Sequence, residues 1–62
     1  MSALRALRHD RLLTQRELAT RAGVQHSAVS QYERGLQPSP RARVLIARAL
    51  GAPVSKLWPE AS

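Results

Sequence analysis

Between residues 26 and 34 lies a run of side chains suited to recognition chemistry: His26, Ser27, Ser30, Gln31 and Arg34. On a helix of about 3.6 residues per turn they fall away from Val29 and Tyr32, which are three apart and form the only apolar side. Gln31 carries a donor and an acceptor together, the combination that can meet adenine N6 and N7 in a major groove. Ser27 and Ser30 offer short hydroxyls able to touch a base, a phosphate or only water. His26, taken alone, is more often a solvated or packing residue. The charge points the same way as the polar run. Ten basic residues, nine of them Arg, face four acidic ones, and the net charge of +6 favours polyanionic partners, nucleic acid first. Arg16, Arg21 and Arg48 read as plain solvated charges. Reaction chemistry lacks its parts: there is no carboxylate pair, metal cluster, Cys nucleophile or Gly-rich phosphate loop, so the sequence reads as a binding protein with no enzymatic activity, no cofactor and no metal.

The elements that must position these residues are short. A chain of 62 residues has room for one small core, so a single domain over residues 1–62 is expected. Without cysteine it has neither disulfides nor thiolate zinc sites and must hold itself by packing and capping. No apolar run reaches transmembrane length and the Met1 end lacks the apolar stretch of a signal peptide, which predicts a cytoplasmic protein with no membrane partner.

Gly and Pro cut the chain into five helical pieces, an all-α class. The first runs from about Ser2, a potential cap, to Arg11, with Leu4 and Leu7 as its stripe. Thr14 and Glu17 form a capping box and Leu13 and Leu18 a staple around it, so a second helix starts at Thr14 and ends at Ala22-Gly23. Val24 and Val29 repeat the staple on either side of Gln25, and a third helix runs from about His26 to Arg34 and closes at Gly35. Ser39-Pro40 opens a fourth, whose apolar Val44, Ile46, Ala47 and Leu50 lead to Gly51. Pro53 and Pro59 bracket a last turn, Val54 to Trp58, that presents Leu57 and Trp58.

Two helices of eight or nine residues joined by Gly23-Val24-Gln25 fit a helix-turn-helix over about residues 14–34, in which the second helix projects a polar face into the major groove. Ala19, Ala22 and Ala28 leave little bulk at the turn, so the two helices can approach closely. The string Thr14-Gln15-x-Glu17-Leu18-Ala19-x-x-x-Gly23-Val24, followed by Val29-Ser30-x-x-Glu33-x-Gly35 and Pro38, resembles the Cro and phage-repressor (XRE) family. Ile46-Ala47-x-Ala49-Leu50-Gly51 resembles that family's fourth helix and Val54 to Trp58 its fifth.

The resemblance implies a compact, lambda-repressor-like bundle of five helices whose third helix reads bases. It puts His26, Ser27 and Gln31 on base-reading positions with Ser30 beside them. Gln15, Gln25, Arg34 and Arg41 fall on phosphate-contacting positions, and Arg8 and Glu33 on a salt-bridged pair. The implied function is sequence-specific binding of double-stranded DNA by a transcriptional regulator, a repressor, acting as a homodimer on a two-fold symmetric operator. A bacterial, phage or mobile-element origin and a place at the nucleoid go with it; no small-molecule ligand is implied. The chain departs from the family at two places. Leu12 stands where Gly often ends the first helix, so that bend either avoids the left-handed region or carries strain. Gln25 caps less well than Ser, Thr or Asp, which leaves the third helix held by its staple more than by its cap. Leu45, Leu57 and Trp58 either complete the core or form an apolar patch for a second subunit. The alternative is an antitoxin-like or other protein-interaction module with secondary DNA binding, against which the lack of an extra tail counts.

Overall fold

A computed structural model describes residues 2–59, and the expected domain limits at residues 1 and 62 lie outside them. The described chain is all-helical: α1 (Ala3–Asp10), α2 (Gln15–Ala22), α3 (His26–Glu33), α4 (Pro40–Leu50) and α5 (Val54–Leu57). The starts follow local chemistry. Ser2 accepts from the Arg5 amide, Thr14 from that of Glu17, and Ser39 from that of Ala42 with Pro40 in the first turn. The capping box of α2 is complete, Glu17 returning its carboxylate to the Thr14 amide at 2.8 Å. Hydrogen bonding from Thr14, its backbone amide first, holds the Glu17 carboxyl below its ordinary pKa.

All of the first four helices end alike, with an amide reaching back five residues: Leu13 to Arg8, Val24 to Ala19, Leu36 to Gln31 and Ala52 to Ala47, at 3.0–3.1 Å. This closure requires a residue of positive φ just past the helix. Gly23, Gly35 and Gly51 supply it in three cases; in the fourth it is Leu12, at φ +59°. Of the two possibilities for that bend, the strained one holds.

The helices enclose one core. Leu4, Leu18, Val29 and Ile46 are its most deeply buried side chains, α2 packs on both α3 and α4, and α5 packs on α1 and α4. Both members of each staple reach this cluster, and Ala19 and Ala22 are buried where α2 meets α3. Of the apolar residues on α4, Val44 stands exposed and Ala42 is buried. At about 100° per residue Val44 lies roughly 200° from Ile46, whereas Ala42 lies within about 40° of it. Leu57 and Trp58 take the first of the two alternatives read for them. They are 4% and 6% exposed, completing the chain's own core and leaving almost no side-chain surface for a second subunit. Leu45 is half-buried against the same core. None of the helices is long and apolar enough to cross a membrane.

Leu12 is 89% exposed, so its side chain contributes nothing to the core while its backbone pays the left-handed penalty. Leu12→Gly is expected to stabilise the fold by about 1 kcal/mol, a rise in Tm of about 4–8 °C in a domain of this size. Leu12→Val should lower Tm, because a β-branched residue tolerates positive φ less well. Thermal melts followed by circular dichroism check both; equal Tm values for all three proteins would exclude strain at this bend.

Candidate nucleic-acid interface

The side chains of α3 divide by angle. Val29 is fully buried, Tyr32 and Ala28 are half-buried, and His26, Ser27 and Gln31 are exposed on the opposite side. Ser30 lies between them, accepting from Arg34 Nη2 at 3.0 Å. Successive turns at positions 26, 27, 30, 31 and 34 fall within an arc of about 140°. Thus four of the five polar groups read from the sequence share one open face, and the fifth closes the end of it. Among the described residues no side-chain hydrogen bond ties down His26, Ser27 or Gln31, so their donors and acceptors are open to a ligand.

The turn from α2 into α3 lacks a side-chain cap. Gln25 occupies the cap position with extended backbone and makes no capping bond, as its residue type suggested. Its exposed amide stands at the start of α3, one residue from His26. Arg41 is exposed in the first turn of α4.

At its other end α3 is fastened by charge. Arg8 Nε and Nη2 donate to the two carboxylate oxygens of Glu33, the second at 3.1 Å, and Arg8 Nη1 donates to the Leu13 carbonyl at 2.8 Å. Gln15 Nε2 donates to Glu33 Oε1 at 3.0 Å. One ion pair thereby joins α1, the α1–α2 turn, the start of α2 and the end of α3. The side chains of Arg8 and Glu33 are 9% and 5% exposed, so this is an interior pair whose lone pairs and protons are met by further bonds. Burial pushes the Glu33 carboxyl up, but the hydrogen bonds from Arg8 and Gln15 and the charges of Arg8 and Arg5 outweigh it and hold the group below its ordinary pKa.

The Arg8–Glu33 pair was legible in the sequence through the family resemblance. Its extensions were not. The bond from Gln15 to Glu33 spans 18 residues and that from Arg11 Nε to the Leu50 carbonyl spans 39, with no motif to announce them. The second places a cation on the carboxyl end of α4, where the helix dipole favours it. Its only sequence signal is an Arg placed just past the end of α1. Gln15 therefore has a structural duty beside any contact with phosphate, and one of its amide hydrogens is already committed.

Residues 2–57, a stretch that takes in all five helices, match a family model described as a helix-turn-helix domain. No curated protein and no solved structure matches the chain.

Removing one partner from an interior ion pair strands the other charge, so Glu33→Ala should cost about 3–5 kcal/mol, and Glu33→Gln less because it keeps an acceptor for Arg8. A double-mutant cycle on Arg8 and Glu33 should give a clear coupling energy; zero would mean that the side chains do not meet in solution. The pH dependence has a definite sign. Because the folded pKa of Glu33 is depressed, its contribution is fully present above the unfolded value of about 4.3 and is lost as pH falls through the folded one. The gap in stability between the native protein and Glu33→Gln should therefore close on acidification, measured by urea melts across the acid range.

Proposed function

The chain belongs to the helix-turn-helix domain family, a family typical of Cro- and phage-repressor-like DNA-binding domains, and on that premise we propose that it is a sequence-specific regulator of transcription, a repressor, binding a two-fold symmetric operator as a homodimer. One observation carries the reading: α3 offers an open polar face on which the side chains of His26, Ser27 and Gln31 make no hydrogen bond among the described residues, while its opposite side is fixed by Val29 and its end by the Arg8–Glu33 pair. A helix held in this manner can present base-reading groups without first having to order itself.

Roles follow from side-chain chemistry. Gln31 pairs with adenine through N6 and N7, and His26, Ser27 and Ser30 set neighbouring contacts in the major groove. Gln15, Gln25, Arg34 and Arg41 hold the backbone and set register without carrying sequence information. The domain acts as a single unit with its helix-turn-helix over about residues 14–34. Partners of one copy are the duplex and a second copy, the latter engaged at least on DNA. With Leu57 and Trp58 in the core, Leu45 is the one of the three expected apolar contacts with side chain left over for that second copy.

Two measurements test the reading. Specific affinity should fall steeply with salt, with a log–log slope of about −0.9 for each phosphate neutralised by Arg34 and Arg41 in each subunit. Selection of bound sequences from a random duplex pool should yield a site with two-fold symmetry. In the same selection Gln31→Ala should lose preference at one position per half-site, at a cost of about 1–3 kcal/mol per bidentate contact, while Arg41→Ala weakens all sequences alike. A flat salt titration sinks the DNA reading, and identical altered preferences in the two variants sink the division of roles.

A further inference from the structure

Where the second half of α3 crosses α1 and the start of α2, the surface folds into a polar notch lined by Arg5, Arg8, Gln15, Ser30, Glu33 and Arg34. Three cations and one carboxylate give it an excess of two positive charges. That excess is not spread evenly. Glu33 is saturated: one oxygen takes Arg8 Nε, and the other takes Arg8 Nη2 and Gln15 Nε2. The pair therefore forms a nearly neutral floor, and the uncompensated charge sits on the rim, with Arg5 and Arg34.

Arg5 has no counterpart of its own. Its backbone amide caps onto Ser2, but among the described residues no hydrogen bond or ion pair engages its guanidinium. It stands close enough to Glu33 to help depress that carboxyl, yet the oxygens it would need are taken. Arg34 gives one donor to Ser30 and keeps the rest of its planar fork, and Gln15 keeps its second amide hydrogen. Arg5 and Arg34 can only donate, and Gln15 keeps a donor beside its carbonyl oxygen, so the set is weighted toward an oxyanion and against a cation or an apolar group. The notch is also continuous with the recognition face. Ser30 and Arg34 belong to both, so an anion seated here lies beside whatever α3 reads.

The geometry points to Arg5 as a further ligand of the DNA backbone: with Arg34 and Gln15 it clamps one phosphodiester at the rim of the groove that α3 enters, and the Arg8–Glu33 pair is the positioning device that keeps the clamp open. This inference rests on the reading of α3 as the element that meets a duplex, and it adds a residue on α1 that neither the motif nor the charge pattern singled out.

The test uses the full chain and a duplex carrying the selected site, in the native form and in a series with one phosphate at a time replaced by a neutral methylphosphonate. Arg5→Ala should reduce the magnitude of the log–log salt slope by about 0.9 per subunit. Its selected base preference should match that of the native protein and its Tm should fall only slightly, because the side chain makes no bond among the described residues and only its charge acts on Glu33. One phosphate in each half-site should matter to the native protein when neutralised and become silent in Arg5→Ala. Arg48→Ala removes an equal charge from the last turn of α4, outside the notch, and should keep both the full slope and the native phosphate pattern. Arg5→Lys should keep most of the slope. A steep native titration with the same slope and phosphate pattern in Arg5→Ala would overturn the clamp and leave the DNA reading standing. A native titration that is itself flat would remove the DNA reading and the clamp with it.

Discussion

Arg8 holds this structure in register. Its guanidinium joins its own helix to the turn after it, to the end of α3 through Glu33 and, by way of Glu33, to the start of α2. The backbone carbonyl of the same residue accepts the amide of Leu13, so Arg8 and Leu13 are tied in both directions across the turn. Interior ion pairs are a net help only when every donor and acceptor finds a partner, because desolvation of the two charges otherwise outweighs their attraction. Here that condition is met by Gln15 and by the Leu13 carbonyl. The consequence falls mainly on α3, whose apolar side is narrow. Val29 anchors it to the core at one point and the ion pair at a second, and two points fix a direction where one would leave a pivot.

The same arrangement separates holding from reading. Glu33 and Val29 face inward and are fully engaged, whereas the side chains of His26, Ser27 and Gln31 face outward and make no hydrogen bond among the described residues. A helix stabilised through its open face would give up that stabilisation to any ligand there; α3 is held from the other side. Gln15 and Ser30 stand at the boundary, each with one bond inside the fold and capacity left for a ligand. Between them the notch beside α3 carries more positive charge than the fold requires, and Arg5 and Arg34 are where that charge resides.

A small core explains why such polar fastenings matter. Apolar burial in a domain of this size exceeds the loss of conformational entropy by little, so caps, helix ends and one good ion pair make up a large share of the margin. The chain uses nearly every local device: three side-chain caps, a complete capping box and four matching helix ends. Leu12 is the exception, a left-handed residue with a side chain, and it sits in the very turn that Arg8 straddles. Arg8 holds that turn from two sides, which is how the strain persists.

What the sequence by itself determined is everything that acts over a few residues. Caps at Ser2, Thr14 and Ser39, stops at Gly23 and Gly51, and the polar arc of His26, Ser27 and Gln31 depend on helical periodicity and local hydrogen bonding, whose rules hold wherever the helix is placed. The α3 end at Arg34 and Gly35 was legible to within a residue for the same reason. Only the tertiary structure decided the rest. Leu57 and Trp58 became interior because α1 and α4 lie over α5. The residue type of Leu12 left its bend open, and the closure of α1 by the Leu13 amide on the Arg8 carbonyl goes with the left-handed one. Arg5, Gln15 and Arg34 come from α1, α2 and the cap of α3, and their meeting around a saturated Glu33 follows from how those helices cross, a matter of packing geometry on which residue spacing along the chain is silent.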